Sequence, residues 1–187
     1  MIHILLFVII AIFIVIIIFS FPQFSPVPYF PSNSKDMWRI LEALAIRNDQ
    51  TIIDLGAGDG IVIFQAAKES YSKKLNTRFI AVEINPILLL VLHIRRLFHP
   101  NRTNIRIVNR DMFVMDYSKL TSTDLGKFQP VLTFYIYVSP WFIEKTVLNI
   151  VKQIKIFDLV SYFYQVKCLP KHKEKIEVGV HSIFTYS

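Results

Sequence analysis

Apolar residues along this chain form short runs that alternate with segments of helical periodicity. Three of the runs, Thr51–Asp54, Phe79–Glu83 and Val131–Tyr137, are rich in β-branched and aromatic residues and have the length of buried strands. Residues 61–70 and 86–98, which follow the first two runs, have the pattern of helices. Strands that alternate with helices predict an α/β fold with a doubly wound, mostly parallel sheet.

The same alternation continues towards the C-terminus. Residues 105–108 alternate as a further strand, and residues 141–154 have the pattern of an amphipathic helix. Residues 159–164 predict another strand, and residues 176–186 predict a last strand or a hairpin.

The N-terminus has a different pattern, because every residue from Ile4 to Phe19 is apolar and no charged residue precedes Lys35. Roughly 20 residues of helix span a bilayer. A cleaved signal peptide is the alternative, but the basic start and the small-residue cleavage site are missing; a buried core helix is disfavoured because no face is polar. We therefore predict a transmembrane anchor over residues 1–21, a Pro-rich linker over 22–34 and one domain over 35–187.

Charge adds an expected orientation to this membrane prediction. All 21 basic residues follow the apolar segment, against 14 acidic residues, and the net charge is +7. The positive-inside tendency predicts a single-pass membrane protein whose domain lies on the cytoplasmic or mitochondrial matrix side. Cys168 is the one cysteine, so the chain has no intramolecular disulfide framework.

Three glycines at alternate positions, Gly56, Gly58 and Gly60, follow the first predicted strand. Glycine permits positive φ angles and a close approach of the backbone to a ligand. The spacing differs from the dinucleotide fingerprint, and Asp59 within the loop would repel a pyrophosphate. A carboxylate there suits a ligand with a cationic end, such as S-adenosylmethionine. Glu83, at the end of the second strand, can accept the hydroxyl groups of a ribose.

Acidic residues lie at the ends of three predicted strands or in the loops that follow them. They are Asp54, Asp59, Glu83 and Asp111. Each one alone could simply cap a turn. Because the carboxyl ends of parallel strands line the ligand crevice of a doubly wound sheet, their common placement favours a binding site at that edge.

Several segments together carry a resemblance to a known family. These are Pro28–Ser32, Asp54–Gly60, Val82–Pro86, Asp111–Phe113 and Ile183–Tyr186. With them, the chain resembles the seven-β-strand S-adenosylmethionine-dependent methyltransferases. It is similar, more narrowly, to the membrane-anchored protein-lysine methyltransferases that modify the ATP synthase c-subunit and the adenine nucleotide translocator.

The resemblance implies roles for individual residues. Asp54 and the glycine backbone would hold the methionine end of the cofactor, Glu83 the ribose and Asp111 the adenine amino group. The full set of implied cofactor-binding residues is Asp54, Gly56, Gly58, Asp59, Gly60, Glu83, Asn85, Asp111 and Met112. No metal site is expected.

Two tyrosines at the end of the fourth strand flank the expected transfer site. The rings of Tyr135 and Tyr137 could hold a lysine ammonium by cation–π contact, and their hydroxyls could take its proton. The alternative is that both are ordinary strand aromatics.

The predicted function is N-methylation of a lysine in a membrane protein by a monomeric enzyme in contact with the lipid bilayer. One alternative is methylation of a lipid or quinone head group, and another is an inactive cofactor-binding or scaffold protein. No nucleic acid partner is expected, because residues 138–141 differ from the Asn/Asp-Pro-Pro-aromatic tetrapeptide of nucleic acid methyltransferases. Ile61 and Ile87 depart from the family, which has arginine and an aromatic residue at these positions, and they bear on substrate choice.

Overall fold

Seven strands form one sheet within the residues that the structure, a computed structural model, describes: 1–20, 28–122, 131–170 and 174–187. The strands are β1 (Gln50–Leu55), β2 (Arg78–Glu83), β3 (Ile105–Asn109), β4 (Val131–Ile136), β5 (Asp158–Tyr162), β6 (Glu174–Val178) and β7 (Ser182–Tyr186). Their order is β3-β2-β1-β4-β5-β7-β6. The first five strands are parallel, while β7 is antiparallel to both β5 and β6.

Helices separate most of the strands along the chain. They are α1 (Ile2–Ser20), α2 (Met37–Leu44), α3 (Ile61–Ser72), α4 (Pro86–Leu97), α5 (Ser118–Ser122) and α6 (Pro140–Gln153), with short 3₁₀ turns at Ser34–Asp36 and Arg102–Asn104. The predicted doubly wound, mostly parallel sheet is confirmed, and the C-terminal segment is the hairpin of β6 and β7. The sequence pattern did not predict α5.

Both faces of the sheet are buried, so neighbouring strand residues contribute to different cores. Ile52 packs with α2 and α3 on one face, while Ile53 packs with α6 on the other. Along β4, Phe134 packs in the same core as Ile53, and Tyr135 packs in the same core as Ile52. Burial on both faces explains why the strands read as continuous apolar runs.

The fold-class prediction needs a correction at the N-terminus. Helix α1 contacts α4 and leaves apolar side chains such as Phe7 and Phe13 exposed. Among the described residues, no helix combines the length and hydropathy needed to cross a bilayer. The predicted transmembrane anchor over 1–21 is therefore wrong.

The predicted localisation depended on that anchor, so the single-pass topology on the cytoplasmic or matrix side is wrong with it. Residues 22–27 of the predicted linker over 22–34 lie outside the described residues. A domain over 35–187, like the monomeric state, stays a prediction.

A buried carboxylate fixes the β6–β7 hairpin to the start of the domain. Asp36 is fully buried and accepts hydrogen bonds from the Tyr162 hydroxyl at 2.8 Å, the Val180 N–H at 2.7 Å and the His181 N–H at 2.9 Å. A Cβ added at Gly179 would overlap the carboxylate. Burial opposes ionisation of Asp36, but these three donors outweigh it and hold the pKa below its usual range.

We expect Asp36→Ala to lower the free energy of unfolding by about 2–4 kcal/mol at pH 7, because it leaves the buried Tyr162 hydroxyl and two partly buried N–H groups without their acceptor. The pKa of Asp36 is depressed in the folded state, so its contribution is present above the unfolded pKa of about 3.9 and is lost as the pH falls below it. Urea unfolding at pH 7 and pH 3 measures both effects.

The matched control is Asp158→Ala, which removes a partly exposed ion pair with Arg47. It should cost less than about 1 kcal/mol. Equal losses for the two variants would contradict the role assigned to Asp36.

Candidate functional site

The register of the parallel strands brings the predicted site residues to one edge of the sheet. Asp54 in β1 lies directly beside Tyr135 in β4. Glu83 ends β2 and lies beside Asn109, the last residue of β3. The loops after these strands therefore meet at the carboxyl edge, as the sequence predicted.

The glycine loop has the backbone conformation that requires glycine. Gly56, Gly58 and Gly60 have φ angles of 73°, 58° and 78°. The N–H groups of Gly56 and Ala57 both donate to the Val82 carbonyl, at 3.0 and 2.9 Å, so the loop is fixed to the end of β2. A Cβ at Gly60 would lie 2.5 Å from Leu92, which shows that this glycine serves packing with α4.

Glu83 joins the glycine loop to the loop after β2. Its Oε2 accepts a hydrogen bond from the Gly58 N–H at 2.8 Å. Its Oε1 accepts from the N–H groups of Ile84 and Asn85, at 2.8 and 2.9 Å. A carboxylate has about four acceptor positions, so roughly one stays available to a ligand hydroxyl.

Asp54 is a buried carboxylate without a compensating partner. Its relative exposure is 4%, and no hydrogen bond joins its side chain to another of the described residues. Burial raises its pKa to about 8, and the charges of Glu83 and Asp59 add to the shift. Such a group favours a cation placed beside it, because a cation stabilises the ionised form.

Asp59 has a different environment from the one predicted. Arg95 on α4 donates to Asp59 Oδ2 at 2.7 Å and to the Asp59 carbonyl at 2.6 Å. Burial raises the pKa of the Tyr29 hydroxyl to about 12, and its electrostatic interaction with the Asp59 carboxylate adds to this shift. Asp59 is thus already paired, and Asp54 is the carboxylate that can attract a ligand cation.

Asp111 and Met112 lie beyond β3 and line the same cavity as Glu83. Asp111 Oδ1 accepts a hydrogen bond from the Phe113 N–H at 2.7 Å, which orients the carboxylate. Its second oxygen can accept from a ligand amino group. Met112 is held through its carbonyl, which accepts a 2.6 Å hydrogen bond from the buried Tyr117 hydroxyl.

Asn85 has a structural position rather than a place in the cavity. Its Oδ1 caps α4 by accepting from the N–H groups of Ile87 and Leu88, at 2.9 and 3.2 Å. Its side chain is buried, and Nδ2 has no hydrogen-bond partner among the described residues. The cavity lining that brings Glu83 and Asp111 together does not include it.

The two predicted acceptor-site tyrosines are held differently. The Tyr135 hydroxyl is buried and lies 2.8 Å from Ser32 Oγ. Tyr137 is half-buried, and its ring meets the edge of Tyr162 at a centroid distance of 4.9 Å. Burial raises the pKa of both hydroxyls above the usual value, so they stay protonated at neutral pH.

Two cavities adjoin at this edge of the sheet. The first is lined by Glu83, Asp111 and Met112, together with apolar side chains such as Leu88. The second is lined by Asp54 and Tyr135. Both share Tyr29, Phe30, Gly56, Gly58 and Tyr137 in their linings. One elongated ligand with a cationic part near Asp54 fits this arrangement.

Sequence reasoning missed two residues of the site. Arg95 and Tyr29 approach the glycine loop from α4 and from the segment before the domain, and no spacing along the chain signals either contact. The resemblance had singled out residues 28–32, without a role.

No protein-family model matches the chain. A protein-lysine N-methyltransferase of Saccharolobus islandicus (strain REY15A) is 42% identical over 59 residues, which are 32% of this chain and 34% of that protein. A lysine N-methyltransferase of Caenorhabditis elegans that acts on the ATP synthase c-subunit is 27% identical over 114 residues, 58% of this chain and 53% of that protein. The chain thus spans at most about half the length of these curated relatives.

Solved methyltransferase structures share the fold. An RNA methyltransferase from Salinibacter ruber in complex with S-adenosyl-L-homocysteine has a TM-score of 0.63 at 18% identity, covering 84% of this chain and 92% of that one. A glycopeptide N-methyltransferase complexed with sinefungin has a TM-score of 0.50 at 10% identity, covering 83% and 59%. The chain has the class I methyltransferase fold, and these relatives agree with the prediction of an S-adenosylmethionine-dependent methyltransferase.

The pKa of Asp54 predicts a pH-dependent stability in the absence of ligand. Because the pKa is raised to about 8 in the folded state, the contribution of Asp54 is fully present below about pH 4 and is lost as the pH rises through 8. Asp54→Asn removes this titration. Between pH 5 and pH 9, the wild-type protein should lose more than about 1 kcal/mol relative to Asp54→Asn. Urea unfolding at both pH values tests this, and parallel pH profiles would refute it.

Proposed function

We propose that this protein is an S-adenosylmethionine-dependent methyltransferase that modifies the side-chain amine of a lysine in a protein. The observation that carries the proposal is Asp54, a buried carboxylate without a hydrogen-bond partner among the described residues. It lines a cavity that adjoins the one lined by Glu83 and Asp111. Glu83 provides an acceptor for a ribose hydroxyl, and Asp111 provides one for an adenine amino group.

The residues present fit this cofactor in both charge and shape. Val82, Leu88 and Met112 offer apolar surface for an adenine in the first cavity. Asp54 in the second cavity compensates a cationic methionine end. Gly56 and Gly58 line both cavities and place no side chain of their own between them.

S-adenosylmethionine, when bound, supplies a methyl group on a positively charged sulfur and leaves as a neutral thioether. The protein has to place a neutral amine in line with that methyl group, and much of the rate can come from this placement. Asp54 favours the charged ligand over the uncharged product, which assists product release.

Tyr137 is the acceptor-side residue in this proposal, because it lies where the two cavities meet. Its ring provides a cation–π surface for a lysine ammonium. Its hydroxyl stays protonated at neutral pH, since burial raises its pKa. The hydroxyl oxygen can therefore accept a hydrogen bond from the amine, whose proton leaves to water rather than to tyrosinate.

The lysine specificity is supported by the two relatives, whose names specify protein lysine and a lysine of the ATP synthase c-subunit. We further propose that the substrate is a membrane-embedded protein. The second relative supports this narrower proposal, as do the exposed apolar side chains of α1, which could pack against an apolar substrate helix. A substrate labelled only in the soluble fraction would refute it.

The deciding experiment is incubation of the protein with methyl-labelled S-adenosylmethionine and cell extract. Label in protein, recovered as methyl-lysine by mass spectrometry, is the expected result. Label in the lipid extract would instead establish the head-group alternative. Cofactor binding without any transfer would establish the inactive binding protein.

Glu83→Gln should weaken S-adenosylmethionine binding about 10- to 150-fold, because it replaces a charged acceptor by a neutral amide. The amide NH₂ group would also face backbone N–H groups, which are donors as well. Calorimetry of the folded variant measures this. Glu69→Gln is the matched control, since Glu69 forms only a surface ion pair with Lys73 on α3. Equal affinities for Glu83→Gln and the control would remove Glu83 from the cofactor site.

Tyr137→Phe should leave the dissociation constant of S-adenosylmethionine within about threefold, yet lower the rate of lysine methylation about 3- to 10-fold, because it retains the ring and loses one acceptor. Tyr137→Ala should lower kcat/KM for the lysine substrate further by removing the cation–π surface. Steady-state kinetics on the identified substrate gives both values. Unchanged kinetics in Tyr137→Ala would assign this tyrosine to packing alone.

A further inference from the structure

Residues 28–32, which we call the strap, cross the candidate site at two points. The Tyr29 ring lies against the glycine loop so closely that a Cβ at Gly58 would be 2.6 Å from Tyr29 Cε2. The Tyr29 hydroxyl interacts electrostatically with the Asp59 carboxylate. At the other end of the strap, Ser32 Oγ lies 2.8 Å from the Tyr135 hydroxyl. The strap thus connects the loop after β1 with strand β4.

The strap also forms the boundary between the two cavities. Tyr29 and Phe30 line both of them, opposite Gly56 and Gly58. A ligand that occupies both cavities must therefore lie along these two rings where they contact the glycine loop. The aromatic side chains are therefore placed over the middle of the ligand, where the cofactor of the proposed function carries its sulfonium.

We propose that Tyr29 is a cofactor-contacting residue and that the strap closes over the bound cofactor. The inference rests on the proposed function. The ring of Tyr29 lies against Gly58 at the junction of the two cavities, and its hydroxyl interacts electrostatically with the Asp59 carboxylate. Arg95 in turn pairs with Asp59, which lines the second cavity.

Closure by the strap has a kinetic consequence. In this proposal the cofactor enters and leaves when the Tyr29 ring moves off the glycine loop and the buried Ser32–Tyr135 hydrogen bond opens. Loss of either contact therefore acts mainly on the dissociation rate. Loss of the Tyr29 ring also removes a surface that attracts the cationic sulfur.

The test compares Tyr29→Ala, Tyr29→Phe and Ser32→Ala with the wild-type protein. Calorimetry with S-adenosylmethionine gives the affinity, and stopped-flow displacement gives the dissociation rate. We expect Tyr29→Ala to raise the dissociation constant about tenfold, mostly through faster dissociation. Tyr29→Phe and Ser32→Ala should each raise the dissociation rate about threefold. Tyr71→Ala, at an exposed tyrosine on α3, is the control and should change neither value.

The outcomes separate the two proposals. Wild-type protein that fails to bind S-adenosylmethionine refutes the proposed function and the strap with it. Wild-type protein that binds, together with Tyr29 variants within twofold of it, refutes the strap alone. Urea unfolding of each variant verifies folding, and the conservative Tyr29→Phe change decides the matter if Tyr29→Ala does not fold.

Discussion

The carboxylate of Glu83 is the contact on which the geometry of the site depends. It accepts hydrogen bonds from the N–H groups of Gly58, Ile84 and Asn85, and so holds the loops after β1 and β2 together. Consecutive unpaired N–H groups at such a loop would form an anion-binding concavity. Because Glu83 already occupies these donors, the loop does not favour a phosphate. The fold thereby uses a glycine-rich loop for a ligand whose cationic part is recognised by carboxylates.

The distribution of charge around the loop follows from this arrangement. The Glu83 carboxylate is compensated by backbone donors, and the Asp59 carboxylate is compensated by Arg95 and Tyr29. Asp54 has no such compensation among the described residues, and its pKa rises to about 8 as a result. Asp54 is therefore the carboxylate that can distinguish a charged ligand from a neutral one, and binding of a cation beside it favours its ionised form.

The sequence predicts the parts of this site that follow from short sequence patterns. Buried strands appear as apolar runs, and positive φ angles require glycine at 56, 58 and 60. Acidic residues at strand ends meet because parallel strands share a carboxyl edge. The partner of Asp59 was not predictable in the same way, because Arg95 is 36 residues away and reaches the loop only through the packing of α4. The uniform apolar composition of residues 4–19 likewise indicated a helix but did not fix a membrane-spanning length.

The acceptor side of the site depends on elements outside the central strands. Tyr137 packs on Tyr162, whose hydroxyl binds the Asp36 carboxylate, and Asp36 also holds the N–H groups of the β6–β7 hairpin. The ring that would meet the lysine is thus positioned by the same carboxylate that stabilises the hairpin. Methyltransferases with other acceptors share the sheet but can differ in these outer contacts. Ile61 is an example, because the resembled family has arginine at this position. In this chain, the guanidinium beside the glycine loop belongs to Arg95 on α4. Substrate choice in this chain is accordingly expected to depend on the hairpin and Tyr137, while the sheet edge and the strap contact the cofactor.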